Sequence, residues 1–167
     1  MGTDIDLLWA DPGSPLSMAP VHAWRLLGRF QAVSAIDRLV QLLKMPDLTP
    51  YIETELPGIL SLFGVSAIPA LHAILEDPKN GEVPRICAIE ALSLLAKAFT
   101  DTRVECIDIL IDWIKRANKS ERVINGFIVS CLIDLKAKVS INAIRDVYKN
   151  EAVDPSIRRL QRPRPKT

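Results

Sequence analysis

The sequence predicts an all-α protein, a right-handed α-solenoid of about four helix pairs. Three observations carry this expectation. Apolar residues recur at three- and four-residue steps from Pro20 onward, and no segment sustains the period-two alternation of a strand. Two stretches that start 32 residues apart, VSAIDRLVQLL at Val33 and VSAIPALHAIL at Val65, agree at six of eleven positions. Finally, 49% of the chain is hydrophobic but only 5% aromatic, so aliphatic side chains must build the core.

The elements follow in order. Residues 1–19 are rich in Asp, Gly, Pro and Ser and read as an irregular lead-in, with Leu7, Leu8 and Trp9 available to pack on the first helix. The helical domain is expected over 20–155 and a basic tail over 156–167. Breakers divide the domain at KMPDLTP (44–50), EDPKNGEVP (76–84), FTDT (99–102), RANKSE (116–121) and KNEAVDP (149–155). The segments between them fall into pairs. The first members are HAWRLLGRF (22–30), ELPGILSLF (55–63), PRICAIEALSLLAKAF (84–99) and RVINGFIVSCLIDL (122–135). Gly28, Gly58, Gly126, Ala88 and Ala91 offer them points of close approach.

The second members stack in register: the two VSAI stretches, VECIDILIDWI (104–114) and SINAIRDVYKN (140–150). Val33, Val65 and Val104 form one column. Ala35, Ala67, Cys106 and Ala143 form a column of small residues. Ile36, Ile68, Ile107 and Ile144 are identical, and Leu39, Leu71, Leu110 and Val147 follow three residues on. The units are thus 32, 39 and 37 residues apart, a period that signals a solenoid of two-helix repeats. Ser34, Ser66, Ser140 and either Asp101 or Thr102 stand where they can cap the second helices. Pro69 then falls in a first turn, where its missing N–H is harmless. Pro57 either opens its helix or kinks a longer one.

The x-Ala-Ile-x-x-Leu cores of the second helices, with segments such as PRICAIEALSLLAKAF, resemble HEAT-type repeats of the short bacterial variety described as phycobilisome-lyase HEAT-like. The resemblance covers about residues 20–150. PVHAWRLLGRFQAVSAIDRLVQLL followed by ELPGILSLFGVSAIPAL is similar to a group of bacterial HEAT-like domains, some of which continue into a zinc-binding motif. This sequence shows no such motif and finishes QRPRPKT. The resemblance implies the fold, with second helices lining a concave face. It leaves function open, since HEAT arrays serve scaffolds, lyases and DNA repair enzymes.

Charge is unevenly placed. The net charge is +1, but Arg158, Arg159, Arg162, Arg164 and Lys166 lie in the last ten residues, leaving 16 basic residues against 20 acidic ones before them. An acidic body disfavours a phosphate backbone as partner, so nucleic acid enters only through the tail. That tail either contacts nucleic acid or an acidic protein surface, or is a disordered terminus or a segment that orders only on a partner. Cys87, Cys106 and Cys131 are odd in number, widely spaced and without a CxxC, and His22 and His72 are far apart. This is the pattern of buried free thiols in a reducing compartment, with no metal site. No basic, apolar leader opens the chain and no apolar run reaches 18 residues, so a cytoplasmic protein without a membrane partner is expected.

The candidate site is an acidic stripe. Asp101, Glu105, Asp108 and Asp112 recur at steps of four, three and four, opposite Ile107, Leu110, Ile111 and Ile114. It is either a recognition strip for a basic partner, joined by the outward-facing Arg38 and Gln41 of the first repeat, or a solvated helix face. No His, Lys or Tyr converges on it for acid–base work. Trp113 either packs in the column of Leu42 and Ile74 or stacks on a damaged base, as implied by the resemblance to HEAT-fold alkylpurine glycosylases. His22 and Trp24, beside Arg25 and Arg29, either form a binding edge or close the end of the stack. His72 reads as a partly buried structural histidine. The function expected is a non-enzymatic protein-binding scaffold without a cofactor. The alternatives are a HEAT-fold enzyme, bilin lyase-like or glycosylase-like, or a subunit of a larger assembly.

Overall fold

The computed structural model describes residues 19–45, 53–154 and 156. Among them every regular element is helical, with no strand. Eight α-helices follow one another: α1 Ala19–Arg29, α2 Ile36–Leu42, α3 Leu56–Ser61, α4 Ile68–Glu76, α5 Glu82–Ala98, α6 Thr100–Lys115, α7 Arg122–Asp134 and α8 Ile141–Lys149. They match the eight segments read as pairs. The chain divides into two compact units, Met1–Leu95 and Ala96–Thr167, with α5 beginning in one and ending in the other. Residues 1–18 of the expected lead-in (1–19), most of the KMPDLTP breaker and residues 157–167 of the basic tail lie outside the described residues, and Ala19 already belongs to α1.

In the first unit α1 packs on α3 and α2 packs on both α3 and α4, so like members of consecutive pairs are neighbours. The reason is the column pattern. Ile36, Leu39 and Leu43 and their counterparts Ile68, Leu71 and Leu75 are all buried, as three-four spacing along one helix face requires. At about 1.5–3 kcal/mol for each fully buried aliphatic side chain, these seams dominate the cohesion of the unit. The close approach of α1 to α3 is made at Gly28. A Cβ there would sit 2.9 Å from the Leu62 Cβ and 3.1 Å from the Ile59 carbonyl oxygen. Gly58, by contrast, has nothing within 4 Å of where its Cβ would be and is no contact point.

In the second unit α6 packs on α7 and α8. The same columns continue: Cys106, Ile107, Leu110 and Ile114 are buried on α6 and Val147 on α8, with Ile144 half-buried. The valine column is different. Val33, Val65 and Val104 are 53%, 59% and 68% exposed, so this position is shared in sequence without being core.

Serine capping of the second helices does not occur. Val33–Ala35 and Gly64–Ala67 are 3-10 turns, and α2 and α4 start after them at Ile36 and Ile68, with Ala35 and Ala67 at the cap position. Ser34 and Ser66 lie inside those turns. At α8 Ser140 does occupy the cap position, but its hydroxyl donates to the Ala137 carbonyl at 2.6 Å, so the helix N–H groups receive nothing from it. Nor does FTDT form a loop. Phe99 alone is extended, and Thr100 already opens α6. The Thr102 hydroxyl donates to the Phe99 carbonyl at 3.1 Å. VECI therefore lies a turn inside its helix, whereas VSAI precedes or opens its own. Pro69 sits in the first turn of α4 as expected, and Pro57 opens α3 in the same way.

Three helix ends share one device. After α1, Gln31 adopts φ 48°, the Ala32 N–H donates to Leu27 O and the Gln31 N–H to Gly28 O, both at 3.0 Å. After α7, Lys136 (φ 52°) and Ala137 repeat both bonds, to Ile133 O and Leu132 O. After α8, Glu151 (φ 54°) and Ala152 do so again, to Tyr148 O and Val147 O. This is the Schellman arrangement, here built with Gln, Lys and Glu where glycine is usual. The following alanine tucks under the last turn; Ala137 and Ala152 are buried.

Candidate functional site

Helix α6 sorts its residues by face. Thr102, Cys106, Ile107, Leu110, Ile111, Trp113 and Ile114 are buried, while Asp101, Glu105, Asp108 and Asp112 are exposed. Their four-three-four spacing puts the carboxylates on one stripe. Asp101 lies in the first turn, where the helix dipole favours an anion, and Lys115 closes the last turn, where it favours a cation. Asp112 accepts from Lys115 Nζ at 3.0 Å, with both side chains about two-thirds exposed, so the pair contributes under about 1 kcal/mol. Arg116 lies beside them, its Nε donating to the Asp112 carbonyl at 3.3 Å and its guanidinium 5.0 Å from the centre of the Trp113 ring. Among the described residues no ion pair engages Glu105 or Asp108. The stripe is therefore neutralised at its C-terminal end and left charged in its middle.

Arg38 and Gln41 are exposed one turn apart on α2, in the first unit, whereas the acidic stripe belongs to the second. His22 is exposed and Trp24 is 1% exposed, so the two residues read together from the sequence face opposite ways. His72 is half-exposed, its Nε2 3.3 Å from Glu76 Oε1.

Trp113 is 7% exposed, and its Nε1 donates to Asn125 Oδ1 at 3.1 Å. An indole held in this way packs the unit and has no free face for a base, which removes the glycosylase-like stacking role. Asn125 itself is fully buried, and its Nδ2 donates to Asn118 O at 2.9 Å and Ala152 O at 2.7 Å. One amide thus joins α6, the loop before α7 and the segment after α8. Arg122 adds to it, donating to Val153 O while its own carbonyl accepts from the Asp154 N–H at 3.1 Å. Sequence reasoning missed Asn125, because an Asn in a helix reads as exposed unless its partners are known. The partners of Arg103 could not be read for the same reason. It donates to Ala96 O at 3.1 Å and Leu135 O at 2.5 Å, stapling the C-terminal carbonyls of α5 and α7.

The three cysteines are buried and form no disulfide. Burial, then the charges of Glu90 and Glu53, push the Cys87 thiol up to about 12. Burial and then Glu105 push Cys106 up to about 11. Both stay protonated at neutral pH and make poor nucleophiles. The Glu90 carboxyl is also raised, by its burial and then by Glu53. Among the described residues no group of three or more His, Cys, Asp or Glu is placed to hold a metal ion, and no helix is long and apolar enough to cross a membrane. Compared with family models, curated proteins and solved structures, the chain matches none of them.

Proposed function

We propose that the protein is a non-enzymatic scaffold, a right-handed solenoid of four HEAT-like helix pairs that binds a basic segment of another protein along α6. The reading is supported most by the exposed, uncompensated carboxylates of Glu105 and Asp108 on a helix whose opposite face is fully committed to the core. A fixed stripe of like charge steers and orients a cationic partner without contributing to the stability of its own fold. The repeat arrangement is supported by the α1–α3 and α2–α4 neighbours of the first unit and by the buried Ile and Leu columns. Three buried thiols outside any disulfide suit a reducing compartment such as the bacterial cytoplasm.

The test is charge reversal. Converting Asp108→Lys and Asp112→Lys together should abolish capture of the partner protein in pull-downs while leaving Tm unchanged, because both side chains point to solvent. Capture that survives the reversal removes α6 as the binding strip.

A further inference from the structure

Helix α1 buries Pro20, Val21, Trp24 and Gly28. The opposite side carries His22, Arg25, Leu26, Arg29 and Phe30 at positions i, i+3, i+4, i+7 and i+8, a single helical stripe. Its two apolar members are left uncovered by the described residues: Leu26 is 52% and Phe30 80% exposed. It is also cationic, since α1 contains two arginines and no acid. Arg25 shares its charge with Glu55, whose Oε2 is 2.5 Å from Nη2. Among the described residues no ion pair engages Arg29, which leaves its charge for an occupant.

The chain contains a segment of matching chemistry. Residues 4–11, DIDLLWAD, set Ile5, Leu7, Leu8 and Trp9 among Asp4, Asp6 and Asp11, with no base. We propose that this acidic, apolar segment docks on the outward face of α1, with Leu8 and Trp9 on Leu26 and Phe30 and an aspartate beside Arg29. The reach is sufficient. Seven residues, 12–18, separate the segment from Ala19 and extend to at most about 25 Å, against about 16 Å for the length of α1. Tethering makes the contact intramolecular, so a small interface is enough to hold it. The alternative occupant, a second copy, is disfavoured by charge. A two-fold pairing of this face sets the Arg25 and Arg29 of one chain against those of the other.

Trp9 provides the readout, because Trp24 and Trp113 are buried. Acrylamide quenching of the full chain, with the signal of a Trp9→Phe variant subtracted, isolates the Trp9 indole. It should be quenched several-fold less than a free indole, and Phe30→Glu or Leu26→Lys should restore free quenching. Arg29→Glu should do so in part, and more weakly at high salt. Both apolar positions are exposed, and an unchanged circular dichroism spectrum confirms that each variant is folded. Free quenching in the unaltered chain overturns the proposal. So does protection that survives both substitutions, which would place Trp9 elsewhere. Protection that appears only with protein concentration, alongside a dimer in sedimentation, assigns the face to a second copy and equally overturns it.

Discussion

In the first unit α1 meets α3 through a missing side chain, and in the second α6 meets α7 through an indole and an amide. Gly28 lets two helices approach until a single added carbon would collide with Leu62 and Ile59. Trp113 and Asn125 do the opposite, filling the space between elements and fixing it with three directed bonds. Both solutions produce close packing, but they fail differently. Apolar contact at a glycine is tuned by volume and tolerates sliding. A buried amide is tuned by geometry and tolerates none, because each partner left behind is a desolvated polar group.

The comparison can be broken first at Asn125. Replacing it by Ala leaves the Trp113 N–H and the Asn118 and Ala152 carbonyls without their partner and opens a cavity. A loss of about 3 kcal/mol or more is expected in urea denaturation. A loss under about 1 kcal/mol would mean that water replaces the amide and that the second unit is not held by it. Gly28→Ala should cost about 1–3 kcal/mol by overpacking. The clash is with the Leu62 Cβ and a main-chain oxygen, so Leu62→Ala should recover little of it; full recovery would relocate the contact to the leucine tip. The smallest effect has the opposite sign. Lys136→Gly relieves a left-handed residue at a cost in unfolded-chain entropy, for a net gain of up to about 1 kcal/mol. Thermal melts that show a loss there would mean the lysine side chain contributes more than its backbone conformation costs.

The same contrast explains what the sequence made legible. The Ile and Leu columns are burial patterns, and burial follows from local periodicity, so the eight helices and the seams at Ile36, Ile68 and Ile107 could be read residue by residue. The outward placement of Glu105, Asp108 and Asp112 came with the same periodicity. Bonds that join distant residues could not be read. Asn125 reaches Ala152 and Arg103 reaches Leu135 across 27 and 32 residues, and nothing in RVING or TDTRV announces either partner. The helix starts were misjudged because Ser34 and Ser66 fit a cap by type, while the chain spends those residues on a 3-10 turn. The helix ends fell within a residue of the expected segments, but their left-handed stops could not be read, because glycine is the usual mark and here Gln31, Lys136 and Glu151 take its place. The one visible trace is the alanine that follows each of them.

Asn125 has a mechanical meaning as well as an energetic one. The segment 151–154 is tied to the second unit through side chains of α7, Asn125 holding Ala152 and Arg122 holding Val153, with Lys119 reaching Glu151 from the preceding loop. A pull on the chain beyond Asp154 loads these bonds before it loads any helix. The amide that bears it also holds the Trp113 indole, one residue from Asp112 and on the helix that carries the acidic stripe. Part of any tension at this end of the unit thus reaches α6 directly through the Asn125 amide, and the fluorescence of Trp113 is the gauge that would register it.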